Sequence, residues 1–228
     1  MIRIGKLLPD LTNAQGDAEN ADALVAALSW QGLEASVEVF NAGSQLVACD
    51  VFVLGHVTES DFMSAQVQLD AWSTELVAQV NAGSVVLAVG SSVSLLTGMG
   101  LLGGVVASRS ERFVGDTVVQ AQTGQLWGFV NSAHTYACAS DETAWGSVVI
   151  GMGNGDGTEG VRRHVGEGLV LGTHLHGPVL VRNEEIMDEV IRHITKSDRA
   201  HQLDAVGLRA RELARENRAE KIAQLKKS

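Results

Sequence analysis

The chain has 228 residues, a net charge of −10 and a pI near 5.1, which is length enough for one ordinary domain with an appendage. Hydrophobic residues make up 45% and charged residues 19%, so a sizeable core can form and global disorder is excluded. An acidic balance of this kind repels nucleic acid and anionic lipid, so neither is expected as a partner.

In chain order, residues 2–8 read as a first strand, followed by a polar turn over 12–16. A helix is expected over 17–31, stopped by Gly32. Residues 35–40 alternate as a strand, and 50–54 form a continuous apolar strand ending at Gly55. A long helix is expected over 60–80, closed by Asn81, Ala82 and Gly83. The run Ser84-Val85-Val86-Leu87-Ala88-Val89 then has the composition of a buried parallel strand. Beyond Gly98 the pattern breaks into short candidate strands at 105–107, 117–121, 128–130 and 147–150, separated by glycine-rich breaks. Another apolar strand, 169–173, runs into His174-Leu175-His176-Gly177-Pro178, and a helix follows over 183–194. Strands separated by helices predict an α/β domain with a mostly parallel sheet flanked by helices.

Residues 1–195 and 196–228 differ in character. The tail carries nine Lys or Arg against five Asp or Glu, net +4, whereas the first 195 residues carry eight against 22, net −14. This predicts a charged helical tail that is either solvated or docked on an acidic face, of its own domain or of a partner. A tail of that kind is expected to serve association more than the core fold.

The two cysteines, Cys49 and Cys138, form no C-x-x-C pair and no secreted-type framework, which points to a reducing cytoplasm. The N-terminus has no long apolar core after Arg3 and Lys6, unlike a signal peptide. No apolar run approaches the ~18 residues of a membrane span.

Three blocks carry a family pattern. The first is Leu7-Leu8-Pro9-Asp10 with Gly16-Asp17-x-x-Asn20 and Trp30-x-Gly32. The second is Leu87-Ala88-Val89 with its turn Gly90-Ser91-Ser92-Val93-Ser94-Leu95-Leu96. The third joins Gly151-x-Gly153-Asn154, Glu159-Gly160 and Gly172-Thr173-His174-Leu175-His176-Gly177-Pro178, with Arg112-Phe113-Val114-Gly115 and Gly128-Phe129-Val130-Asn131 between. Over about residues 2–195 these resemble the cobyric acid synthase-like, class I-type glutamine amidotransferases. Within that family the pattern is most similar to the amidotransferase subunits of lipid II isoglutaminyl synthases. The resemblance implies a class I amidotransferase-like fold with a C-terminal helical extension. It also implies a Mur-ligase-like partner subunit that amidates peptidoglycan precursors with ammonia from glutamine, and no cofactor. A homo-oligomer is left open.

Such chemistry needs a thiolate on a sharp strand-to-helix turn, a histidine to move its proton, and backbone amides to receive the oxyanion. The resemblance places His176 at the general-base position and Gly90 where the cysteine nucleophile would stand. Glycine offers no attacking group, so the chain is expected to be a pseudoenzyme. The loop Gly55-His56-Val57-Thr58-Glu59 keeps one glycine where the family has a glycine-rich oxyanion loop. Ser91 and Ser92 are alternative nucleophiles, although small hydroxyl residues also suit a tight turn. Arg112 is a candidate for holding the glutamine carboxylate through a bidentate pair. His174 and His176, two apart on a strand, point the same way, but no third ligand at metal spacing accompanies them, so no metal is expected. The glycines at 98–104 lack a following Lys and Ser or Thr, which argues against a nucleotide loop. Trp30, Trp72, Trp127 and Trp145 are expected as core or interface anchors.

Overall fold

A computed structural model describes residues 1–197 and 202–227; four residues of the expected tail, 198–201, and its last residue, 228, lie outside the described residues. The elements run β1 (Ile2–Leu7), α1 (Pro9–Thr12), a 3-10 turn (Asp17–Glu19), α2 (Asn20–Ser29), β2 (Ala35–Phe40), β3 (Val51–Leu54), α3 (Phe62–Asn81), β4 (Val85–Val89) and α4 (Ser92–Gly98). Then follow β5 (Val105–Ala121), β6 (Gly124–Ala137), β7 (Gly146–Ile150), β8 (Thr158–Glu159), β9 (Val161–Val165), β10 (Gly168–Thr173) and β11 (Leu175–His176). The chain closes with α5 (Val179–Arg182), α6 (Glu184–Thr195) and α7 (Ala205–Leu225).

Six strands form one sheet in the order β2-β1-β3-β4-β10-β9, parallel except for the antiparallel edge strand β9. The apolar strands β3 and β4 are buried at every position because both faces of the sheet are covered. Leu24, Leu28, Ile186, Val190 and Ile191 pack on one face, and Leu69, Trp72, Leu76 and Leu96 on the other. The edge strand Val161-Arg162-Arg163-His164-Val165 carries three basic or histidine residues, a composition that discourages further strand pairing.

A second, antiparallel sheet has the order β11-β6-β5-β7-β8. Here the expectation of short strands at 105–107, 117–121 and 128–130 is corrected: they are parts of two long strands of 17 and 14 residues. Their half-exposed faces and internal glycines hide the continuity from a period count, and pairing along almost the whole hairpin supplies it. A register shift between Ser108 and Phe113 bulges β5 and turns Arg112 toward the site. Residues 175–176 join this sheet beside Val130 and Phe129, so β11 links the two layers.

Helix α7 lies on the acidic face of its own domain. Arg211 pairs with Asp188, Arg215 with Glu184, Arg218 with Glu185 at 2.7 Å and Lys221 with Asp116 at 3.0 Å. Asp204 caps its N-terminus by accepting from the Gly207 N–H at 2.8 Å. Gly207 packs so closely on Trp30 that a Cβ there would lie 2.7 Å from it. Of the tail's apolar residues Val206, Leu213 and Ile222, only Ile222 is buried; charge and small residues, not an apolar stripe, seat this helix. Trp127 lies between Arg182 and Lys221, 4.4 and 5.9 Å from its ring centroid.

Candidate active site

The site forms where the parallel strands end, the usual position for a site in an open α/β sheet. Pairing of Leu54 with Ala88 and of Val89 with Thr173 sets the geometry. Two residues beyond the first pair, His56 and Gly90 come side by side. The turn from β4 into α4 is made by Gly90 at φ +65°, a left-handed conformation that glycine adopts without strain. Its N–H donates to the Thr173 carbonyl at 2.7 Å, so the turn is pinned to the neighbouring strand.

Around this turn the structure gathers residues from distant parts of the chain. His176, 1% exposed, places Nδ1 2.8 Å from the Asp17 carboxylate. The other Asp17 oxygen accepts the Gly177 N–H at 3.0 Å. A carboxylate only accepts, so Nδ1 carries a proton and donates to it, and in the neutral ring Nε2 is the acceptor. That Nε2 is buried and has no hydrogen-bond partner among the described residues. The carboxylate orienting His176 is therefore Asp17, which the sequence reading quoted within Gly16-Asp17-x-x-Asn20 but did not assign. No local pattern links residues 159 apart.

A Cβ at position 90 would lie within 3 Å of His56 Nδ1 and 2.6 Å from His176 Cε1. The two imidazoles meet edge to face, centroids 4.9 Å apart. His56 Nδ1 accepts the Ser91 N–H at 3.2 Å. Burial, with further help from His176, pushes the His56 pKa down to about 4, so the ring is neutral near pH 7.

The alternative nucleophiles differ in setting. Ser91 Oγ sits 3.1 Å from His56 Nδ1 and donates to the Val57 carbonyl at 2.5 Å. Ser92 is fully buried and donates to the Gly55 carbonyl. Cys49 and Cys138 are both away from the turn, with thiols pushed up to about 11, chiefly by burial.

A pocket of about 750 Å³ opens beside the turn, and His56, Ser91, Arg112, Asn131 and His134 are among its lining. Arg112 reaches it from the β5 bulge, but its guanidinium is engaged by Glu59 at 2.6 Å and by Asn131 at 3.0 Å. His174 lies outside that lining. Its N–H and the Thr173 hydroxyl both donate to Glu159 Oε1, at 2.8 and 2.7 Å. Burial alone would raise the Glu159 pKa; hydrogen bonds and the His174 ring outweigh it and hold it below the usual value. Among the described residues, no group of three or more His, Cys, Asp or Glu is placed to hold a metal ion, and no helix is long and apolar enough to cross a membrane.

No protein-family model matches the chain. It is 27% identical over 206 residues, 83% of each chain, to the subunit GatD of lipid II isoglutaminyl synthase (glutamine-hydrolyzing) from Staphylococcus aureus strain N315. Among solved structures it is similar to PurLQS from Thermotoga maritima, with TM-score 0.59 and 16% identity over 86% of this chain and 98% of that one. A glutamine amidotransferase from Thermotoga maritima superposes with TM-score 0.56 and 12% identity, covering 96% of this chain and 92% of that one. The mostly parallel sheet, its flanking helices and these neighbours together give the chain the class I glutamine amidotransferase-like fold.

Proposed function

We propose that this chain is a glutamine amidotransferase-like subunit related to lipid II amidation that does not hydrolyse glutamine and acts as a binding or structural partner of a Mur-ligase-like protein in the cytoplasm. The observation that carries the inactivity is Gly90 itself: the turn that should present a thiol presents a hydrogen, at φ +65°. The similarity to GatD supports the setting, since that protein is by name a subunit of an enzyme acting on lipid II. The Asp17–His176 pair and the pocket beside it support descent from a working site. In this reading Arg112 is the group that would meet a carboxylate in the pocket, once released from Glu59.

A second reading takes Ser91 as the nucleophile and His56 as its base, favoured by their 3.1 Å separation at the pocket wall. Two facts weigh against it. The Ser91 hydroxyl is already donated to Val57, and a base with pKa about 4 is poorly matched to neutral pH.

The test is ammonia release from L-glutamine, alone and with a Mur-ligase-like subunit of the same host. The unmodified chain should match His176→Ala and Ser91→Ala at background. Release clearly above His176→Ala would sink the inactive reading, and loss of that release in Ser91→Ala would establish the serine instead.

A further inference from the structure

We propose that His56 is an internal occupant of the vacated centre, filling the space of an attacking side chain at position 90 and capping the Ser91 amide that would receive an oxyanion. The inference rests on the reading above and deepens it: two residues, Gly90 and His56, close this site independently.

The strand register puts His56 there. Leu54 pairs with Ala88, so the chain leaving β3 passes the chain leaving β4 at His56 and Gly90. The ring stands against the Cα of Gly90, where a Cβ would come within 3 Å of Nδ1. Its lone pair on Nδ1 is directed at the Ser91 N–H, 3.2 Å away. Attack on a carboxamide forms a bond to carbon and moves the carbonyl pair onto oxygen. That oxygen needs donors, and here it would face the Nδ1 lone pair instead. The ring also stands between pocket and base: His56 and Ser91 line the pocket, whereas His176 is 1% exposed, outside that lining, with its ring edge to face against His56. Restoring a thiol alone would therefore leave it crowded, without its oxyanion donor, and shielded from the pocket.

The experiment compares Gly90→Cys with Gly90→Cys/His56→Gly in the full chain. The probe is 6-diazo-5-oxo-L-norleucine, a diazoketone analogue of glutamine, and the covalent adduct is followed by intact mass. The unmodified chain sets the background, which should be slow because Cys49 and Cys138 are held as thiols. The diazo carbon takes a proton and the thiolate displaces N2 from it, so the double variant, its thiol no longer crowded or shielded, should label faster. A ratio of about tenfold or more supports the proposal, and a smaller ratio overturns it. The inactive reading fails separately, through ammonia release by the unmodified chain. If either variant does not fold, the unmodified chain still decides: a long-range ¹⁵N–¹H spectrum at neutral pH must show His56 with Nδ1 unprotonated. A proton on Nδ1 overturns the proposal.

Discussion

Gly90→Ala adds one methyl group at a crowded point of the site. The new Cβ would sit within 3 Å of His56 Nδ1 and 2.6 Å from His176 Cε1. His176 cannot retreat freely, because Asp17 holds its Nδ1 at 2.8 Å. Two costs follow. A left-handed backbone costs a non-glycine residue about 1–2 kcal/mol, and overpacking a filled site costs about 1–3 kcal/mol. The sum is about 2–5 kcal/mol, and for a chain of this size each kcal/mol lowers the melting temperature by about 2–4 °C. Urea denaturation of both forms gives the difference directly. Gly98→Ala is the control, since nothing lies within 4 Å of its Cβ and its φ is not left-handed; it should be neutral or slightly stabilising. Adding His56→Gly to Gly90→Ala should recover the share of the packing cost that His56 imposes and leave the His176 contact and the backbone part, a coupling readable in a double-mutant cycle. Gly90→Ala within about 0.5 kcal/mol of the unmodified chain would refute the turn geometry on which the site is built.

Two further outcomes are expected. The His56 pKa is about 4 in the fold and 6.5 ordinarily, so the unfolded chain binds more protons between those values; stability attributable to this ring is intact above pH 6.5 and falls as the pH drops toward 4. Comparing the pH dependence of unfolding with that of His56→Gln should show a difference on the order of 3 kcal/mol, and identical profiles would contradict a buried neutral ring facing His176, Asp17, Arg112 and His134. For the tail, Arg211 and Asp188 are 12% and 10% exposed at their side chains, so Arg211→Ala removes a charge-assisted partner of a largely buried carboxylate and should cost about 1.5–3 kcal/mol. Arg209, 57% exposed in its pair with Glu212, should be replaceable by alanine without measurable change. Equal effects at the two positions would mean that α7 is not seated on α6 through its charges.

The sequence by itself determined the layers of the fold and the place of the strand-to-helix turn. Val85–Val89 reads as a buried strand because every residue is apolar, and a strand covered on both faces needs no alternation. Gly90 was legible as the turn after that strand because it directly follows it, where a local motif carries its own geometry, and it makes the turn into α4 at φ +65°. The charge contrast of the tail left a solvated helix and an acidic docking face both open, and in the structure α7 pairs with Glu184, Glu185 and Asp188 of the same chain. Only the tertiary structure decided the rest. Asp17 meets His176 because the 3-10 turn packs at β3 while the segment after β10 closes onto it through His176 and Gly177, and hydrogen bonds between distant segments leave no periodic trace in either. His56 looked like one more change in a weakened loop. The register of β3 on β4 turned it into the residue that fills the site, since pairing between strands fixes which side chains face each other beyond the strand ends.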